Sequence, residues 1–369
     1  MEIKAAVSYG TEQPFVIEKL TIVEPASNEI LVKIVSSGIC HTDLVAKAGV
    51  FPIELPAVFG HEGAGIVEKI GKDVTKVKVG DHVALSFNFC GECSTCKSEA
   101  PAYCHSFGVL NFAGFRPVGS SLFNQMNKPV SGNFFGQSSF ASYSLAVENN
   151  VVKVPENIPF EFISPLGCGI QTGFGAVTRS LNCTENSSII IIGGGTVGLA
   201  AVMAAKIVGC KNIILIEPHL ARRTLAMEIG ATATIDPINA DLTTEISKVA
   251  PNGVEFALDT SGVETVIESV FNHLTPKAVY GFVGVPQKLD QKLPGTIMQL
   301  VPAGITIKGI IEGDSEPDKS IPELIAHFQN GNLPLEKLVK CYPLENINEA
   351  IQAQHQGECV KAVLLINND

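Results

Sequence analysis

Apolar residues change rhythm near residue 170. Up to about residue 150 they come in short β-branched runs, Ile30–Val35, Gly63–Ile70 and Asp81–Leu85, each bounded by Gly, Pro or Asp. That is the pattern of strands joined by turns, and little helical periodicity interrupts it, so this half reads as mostly β. Beyond residue 170, strand-length runs (Ile189–Ile192, Ile213–Ile216, Val254–Leu258, Ala278–Val283) alternate with helix-prone segments. Those segments, Thr196–Val208 and Ala221–Ile229, end at Gly209 and Gly230, which suit C-terminal caps. Strands alternating with helices predict an α/β unit with a parallel sheet covered on both faces. From about residue 310 the pattern is mixed again and ends on the strand-like Cys359–Ile366. No repeat or low-complexity linker interrupts the chain, and 369 residues suit two or three domains.

Composition narrows the class. Apolar residues make up 46% and charged residues 17%, which suits packed cores and excludes a disordered chain. Net charge is 26 minus 37, or −11, with no basic block, which disfavours nucleic acid and anionic membranes as partners. The uncharged stretch Asn186–Ala205 has the length of a membrane span. It breaks, however, into four isoleucines, a glycine turn and an alanine-rich run, the make-up of strand, turn and helix. The N-terminus, Met1-Glu2-Ile3-Lys4, is charged at once and lacks an apolar signal region, so the expected location is the cytoplasm. In a reducing compartment, ten cysteines point to metal rather than to disulfides.

Gly193-Gly194-Gly195-Thr196-Val197-Gly198 contains G-x-G-x-x-G. The motif alone is weak; its context strengthens it. An isoleucine strand precedes it, a helix follows, and a second strand ends on Glu217, 19 residues after Gly198. Gly193 would allow the tight turn, Gly195 the approach of a pyrophosphate, and Gly198 close packing of helix on strand. The helix N-terminus would supply free N–H groups to the phosphates. Glu217 would accept from ribose hydroxyls and repel a 2′-phosphate, favouring NAD over NADP. Arg222, just beyond, either touches the adenosine ribose or faces water.

Cys90-x2-Cys93-x2-Cys96-x7-Cys104 puts four thiols within fifteen residues, which matches a closed tetrahedral zinc site of structural type. An iron–sulfur cluster fits less well, because the last gap is seven and His105 follows instead of Pro. Cys40-His41-Thr42-Asp43, Gly60-His61-Glu62-Gly63 and Leu166-Gly167-Cys168-Gly169 each place ligand types at turns. Two Cys and one His would leave one position open on zinc, as catalysis requires.

Gly60-His61-Glu62-x2-Gly65-x5-Gly71-x2-Val74 resembles the signature of the zinc-containing alcohol dehydrogenases of the medium-chain dehydrogenase/reductase superfamily. The likeness runs through nearly the whole chain: Cys40, the four-cysteine lobe, Gly-Cys-Gly before the nucleotide fold, the glycine loop and Val283-Gly284-Val285. It implies a mostly-β GroES-like catalytic domain over 1–169 and 310–369, with a structural-zinc lobe about 88–106. A Rossmann-type, doubly wound NAD domain would occupy 170–309.

The resemblance also implies roles. Cys40, His61 and Cys168 would hold the catalytic zinc, with Glu62 beside it, and Cys90, Cys93, Cys96 and Cys104 the structural one. Thr42 would hydrogen-bond the substrate hydroxyl and Asp43 would buttress His61. Thr172 and the backbone near Val283 and Val285 would position the nicotinamide, and His41 and Lys361 would lie near the pyrophosphate. One departure is Val45, where many members carry a histidine that ends the proton relay. The expected reaction is oxidation of a primary alcohol to an aldehyde with hydride transfer to NAD+.

By likeness to the bacterial aryl- and benzyl-alcohol dehydrogenases, Phe51, Phe87, Leu110, Phe140 and Val285 would form an apolar pocket. A glutathione-dependent formaldehyde dehydrogenase type is the alternative within the family, and a non-catalytic zinc- and nucleotide-binding protein the alternative outside it. Members are dimers or tetramers, so a homo-oligomer is expected.

Overall fold

The structure, a computed structural model, describes residues 1–117, 119–286, 288 and 290–366. The chain forms two compact units. The first takes residues 1–168, 316–326 and those from Leu338 on; the second takes 169–315 and 327–337. Segments 310–315 and 327–337, expected in the first unit, therefore group with the second, and 367–369 lie outside the described residues.

The first unit opens with β1 (Glu2–Ser8), β2 (Val16–Ile22) and the long β3 (Glu29–Gly38). There follow α1 (His41–Lys47), β4 (Ala57–Val58), β5 (Gly63–Ile70) and β6 (His82–Leu85). A cysteine-rich lobe carries α2 (Ser94–Lys97) and runs into α3 (Phe107–Phe112). Next come β7 (Phe123–Gln125), β8 (Lys128–Val130), β9 (Tyr143–Val147), β10 (Val151–Lys153) and α4 (Phe160–Ile163).

The second unit holds α5 (Gly169–Gly175), β11 (Ser188–Ile192), α6 (Thr196–Val208), β12 (Asn212–Ile216), α7 (Leu220–Ile229) and β13 (Ala233–Ile235). It continues with α8 (Leu242–Val249), β14 (Val254–Asp259), α9 (Glu264–Phe271), β15 (Leu274–Phe282), α10 (Ile297–Ala303) and β16 (Thr306–Gly309). The chain ends through α11 (Pro317–Gln329), β17 (Val339–Pro343), α12 (Ile347–His355) and β18 (Lys361–Leu365).

In the first unit one sheet runs β4-β1-β2-β7-β8, and a second runs β10-β6-β5-β3-β18-β17 with β9 also paired to β3. β3 pairs with β5, β9 and β18, and Ile30, Leu31 and Val32 are buried in succession instead of alternating. β18 runs antiparallel to β3, Val363 opposite Gly38. That register brings the chain's C-terminal strand beside the end of β3, where the first metal-ligand candidate follows.

The second unit's sheet is parallel throughout, in the order β13-β12-β11-β14-β15-β16. Helices connect its successive strands, a doubly wound fold whose strand order reverses between β11 and β14. Ile189, Ile190, Ile191 and Ile192 are fully buried in β11, each stabilising the sheet by roughly 1.5–3 kcal/mol relative to exposure. The uncharged stretch around residue 190 is thus a strand, a glycine turn and α6, which stops at Gly209 in the left-handed conformation (φ +89°). Among the described residues, no helix is long and apolar enough to cross a membrane.

Candidate functional site

Cys40 stands at the end of β3 as the N-cap of α1. His61 and Glu62 immediately precede β5, and Cys168 follows the tight turn Ser164–Gly167. One ligand atom from each of Cys40, His61, Glu62 and Cys168 lies within 4.8 Å of the others, three of the four residues being buried. His61 Nε2 is 3.3 Å from Cys168 Sγ. The approach of these turns depends on absent side chains. A Cβ on Gly60 (φ +93°) would stand 2.4 Å from Phe140 N, and one on Gly167 2.0 Å from the Leu85 carbonyl oxygen.

Asp43 organises the cluster. Its Oδ1 accepts from His61 Nδ1 at 2.8 Å and from Gly60 N at 3.0 Å, and its Oδ2 from Cys40 N at 2.9 Å. Because Nδ1 is held there, Nε2 faces the sulfurs. The Cys168 sulfur holds the Cys40 thiol well below its ordinary pKa, with His61 adding to the effect. Burial opposes charge on His61, yet Asp43 and Cys40 hold its pKa well above the ordinary value. Two cysteine sulfurs gathered with an imidazole nitrogen are the donor set of a soft divalent cation, so the residues fit zinc.

Two partners of the cluster were not legible in the sequence. Gln137, fully buried, donates to the carbonyls of His61 (2.9 Å) and Ser86 (3.1 Å) and accepts from Gly63 N (3.0 Å), clamping the His61–Gly63 segment. Lys361, assigned by resemblance to the pyrophosphate, is only 1% exposed; its Nζ lies 2.5 Å from Glu62 Oε2 and donates to the Ile39 carbonyl. The β18–β3 pairing puts it there. Burial pushes Glu62 up to about 7, with Lys361 pulling the other way. A Cβ on Gly38 would overlap Glu62 Oε2 at 1.9 Å, so this glycine makes the room for that pair.

The sulfurs of Cys90, Cys93, Cys96 and Cys104 also lie within 4.8 Å of one another. Backbone N–H groups of Glu92 and Cys93 point at Cys90 Sγ, and those of Cys90 and Ser106 at Cys104 Sγ, at 3.3–3.4 Å. The Thr95 hydroxyl holds Cys93 down to about 5, while burial pushes Cys96 up to about 12. Four sulfurs with N–H groups converging on them fit one tetrahedral zinc with no open position. α3 starts directly from this lobe, with Phe107 N bonded to the Cys104 carbonyl at 2.9 Å.

In the second unit, Gly193 (φ +97°) makes the turn after β11, and a Cβ on Gly198 would lie 1.8 Å from the Gly193 carbonyl oxygen. No atom lies within 4 Å of the Cβ position of Gly195, which leaves room for a ligand's close approach at the N-terminus of α6. Glu217, buried at the end of β12, accepts from Gly194 N at 2.6 Å and His219 N at 2.8 Å. A Cβ on Gly194 would crowd it, at 2.9 Å from Glu217 Cγ. This set fits a dinucleotide: a helix N-terminus, an open approach and a fixed carboxylate. Arg222 is half-buried on α7. Arg223 is the arginine that wraps the end of β12, donating to the Glu217 and Pro218 carbonyls at 2.7 Å and pairing with Asp236 at 3.0 Å. Thr172, in α5, donates to Glu312 Oε2 at 3.4 Å.

Of the remaining expected residues, His41 is exposed at the start of α1, and Thr42 Oγ1 lies 3.6 Å from Cys40 Sγ. Val283 donates its N–H to the Asp259 carbonyl, and Val285 is exposed beyond β15. Phe87 and Phe140, expected in a pocket wall, are 1% and 0% exposed, as deeply packed as Phe134 and Phe135; Phe140 packs edge-on against Phe15 and over the bare backbone of Gly60. The rings that reach His61 are others. Phe135 stacks on His61 (4.3 Å between centroids) and Phe134 meets it edge-on (5.4 Å). Phe112 meets Phe135 edge-on at 5.3 Å and stacks on half-buried Phe51 at 4.2 Å; Leu110 is half-buried on the same helix. The doublet Phe134-Phe135 sits between Asn133 (φ +61°) and Gly136 (φ +67°), and that Asn-x-x-Gly frame was the one signal that marked the turn.

Comparisons agree with this arrangement. The sequence model of the alcohol dehydrogenase GroES-like domain matches residues 26–156, and that of the zinc-binding dehydrogenases matches 196–330. The geraniol dehydrogenase of Castellaniella defragrans is 41% identical over 364 residues, 98% of this chain and 97% of that protein. The crystal structure of benzyl alcohol dehydrogenase from Acinetobacter calcoaceticus is 40% identical with a TM-score of 0.95, covering 100% of both chains. An alcohol dehydrogenase zinc-binding domain protein from Burkholderia ambifaria is 42% identical with a TM-score of 0.96, again over 100% of both chains.

Proposed function

Because this chain belongs to the zinc-containing alcohol dehydrogenases, with a GroES-like unit and a Rossmann-type unit, we propose that it oxidises primary alcohols whose carbinol carbon is attached to a flat unsaturated group, benzyl-type alcohols first among them, using NAD+. The observation that carries this reading is the series of rings running from the ligand candidate His61 through Phe135 and Phe112 to Phe51. Benzyl alcohol and geraniol, named in two relatives, both carry the hydroxymethyl group on an sp2 carbon.

In this reading Cys40, His61 and Cys168 hold the catalytic zinc, Glu62 stands alongside, and the four-cysteine lobe holds a second, structural zinc. Bound zinc supplies Lewis acidity to an alcohol oxygen, and NAD+ supplies the hydride acceptor. The chain's own groups do the rest. Thr42 Oγ1 accepts the hydrogen bond of the alcohol and, as it takes that proton, gives up its own hydroxyl proton towards solvent, Val45 offering no base. Asp43 fixes the imidazole, and the phenylalanines exclude water. Glu217 accepts from the adenosine ribose hydroxyls and repels a 2′-phosphate.

The test is kcat/KM measured side by side for benzyl alcohol, geraniol, ethanol, sorbitol and S-hydroxymethylglutathione. Burying a phenyl group of about 100 Å² at roughly 25 cal/mol per Å² is worth about 2–3 kcal/mol over a methyl, so benzyl alcohol should exceed ethanol by at least about tenfold. Equal values for the two would refute the aromatic wall. A preference for the glutathione adduct would install the formaldehyde-dehydrogenase alternative. Against that alternative, the Arg116 guanidinium, just beyond α3, is already committed to Glu29 at 2.9 and 2.5 Å. Absence of NADH formation with every alcohol would leave a binding protein without catalysis.

A further inference from the structure

The roles assigned so far leave a buried carboxylate of the second unit unused. Glu312 is 7% exposed and opens a turn in which three successive residues, Glu312, Gly313 and Asp314, have φ of +52°, +65° and +52°. Two of the three carry side chains, for which this conformation is strained and persists only where the surroundings impose it; such residues cluster at ligand clamps. Here α5 imposes it. A Cβ on Gly313 would stand 2.5 Å from the Gln171 carbonyl oxygen and 2.6 Å from that of Thr172, and a Cβ on Gly175 would stand 2.1 Å from the Gly313 carbonyl oxygen. The close approach of the two backbones thus requires Gly313 and Gly175. The far side of the turn is tied by Asp314 to Lys308 at 2.8 Å and by Ser315 to Arg179 at 3.3 Å.

This fixed turn delivers the Glu312 carboxylate to two side chains of α5. Oε2 accepts from Gln171 Nε2 at 3.0 Å and from Thr172 Oγ1 at 3.4 Å. A threonine hydroxyl has one proton to donate; with that proton turned to Glu312, its lone pairs are left to accept. Thr172 is therefore set to receive a donor such as a carboxamide N–H. A buried carboxylate next to that contact also places negative charge where a nicotinamide ring would be held.

We propose that Glu312 sets the enzyme's preference between the two oxidation states of its cofactor: it orients Thr172 as an acceptor and favours the positively charged ring of NAD+ over the neutral ring of NADH. The inference rests on the reading of the second unit as the NAD site with Thr172 at the nicotinamide.

Calorimetric titration of the zinc-loaded enzyme with NAD+ and with NADH tests it, comparing wild type with Glu312→Gln, Glu312→Met and Glu312→Asp. Removing the charge in Glu312→Gln should raise the ratio Kd(NAD+)/Kd(NADH) about tenfold, or about 1.4 kcal/mol, through weaker NAD+ binding. Glu312→Met should move the ratio in the same direction and serves if the Gln variant does not fold. Glu312→Asp keeps the charge and should keep the ratio. A purely structural role would weaken both dinucleotides alike and leave the ratio within about twofold of wild type; that result overturns the proposal. Wild-type enzyme that binds neither dinucleotide overturns the NAD reading itself, a result distinct from an unchanged ratio.

Discussion

Replacing Asp43 by asparagine changes one atom at the centre of the metal cluster. The carboxylate accepts three hydrogen bonds, from His61 Nδ1, Gly60 N and Cys40 N, at 2.8, 3.0 and 2.9 Å. The carboxylate and the imidazole are both buried. In one orientation the substituted amide keeps His61 and Gly60 as donors to its oxygen but turns its NH2 towards the Cys40 N–H. Leaving that donor unsatisfied costs about 1–3 kcal/mol, and loss of charge assistance to His61 about 1 kcal/mol more. In the other orientation the NH2 meets His61 Nδ1 and pushes the ring proton to Nε2, the atom that faces the sulfurs. Either way the expected loss is about 2–4 kcal/mol of stability, with a fall of roughly 10–100-fold in affinity at that one zinc site. Urea unfolding reads the first quantity, and metal analysis after graded chelation reads the second. Wild-type protein should retain zinc at both clusters under conditions in which Asp43→Asn keeps only the four-cysteine zinc. A variant with unchanged unfolding midpoint and both zincs retained equally well would refute the role of Asp43 as organiser of the cluster.

Cys93→Ser should lower the unfolding midpoint and loosen the lobe at 88–106, because a structural zinc contributes folding energy directly, whereas Cys168→Ser should abolish turnover and leave circular dichroism unchanged; identical behaviour of the two would erase the distinction between the sites. Glu217→Gly should raise the NADP+/NAD+ ratio of kcat/KM by at least about tenfold by removing the repulsive carboxylate. The same variant should also unfold more easily, since Gly194 N and His219 N lose their acceptor. Phe112→Leu removes a ring worth about 0.5–1.5 kcal/mol in aromatic contact, so the benzyl alcohol to ethanol ratio of kcat/KM should drop about two- to tenfold; an unchanged ratio would detach the aromatic series from substrate choice.

The parts of this protein readable from its sequence are those whose partners are near neighbours in the chain. Four cysteines within fifteen residues converge because one loop brings them together, and Gly193, Gly195 and Gly198 act within a single strand–turn–helix unit. For such motifs spacing is geometry. The cluster of Cys40, His61 and Cys168 is different: it was recognisable only through resemblance to a family, because His61 and Cys168 are 107 residues apart. Their meeting depends on the register of β3 against β5 and on how closely Gly60 and Gly167 let backbones approach. Tertiary structure alone decided the partners around them. Lys361 reaches Glu62 because β18 lies antiparallel to β3, and Gln137 clamps His61 from a loop 76 residues away. It also decided which phenylalanines matter. Phe140 and Phe135 are both buried in the core, but the backbone turns Phe140 onto Phe15 and Phe135 onto the imidazole. Side-chain direction follows from local φ and ψ and from which sheet a residue's neighbours join, and those contacts are nonlocal, so residue type and spacing do not encode them.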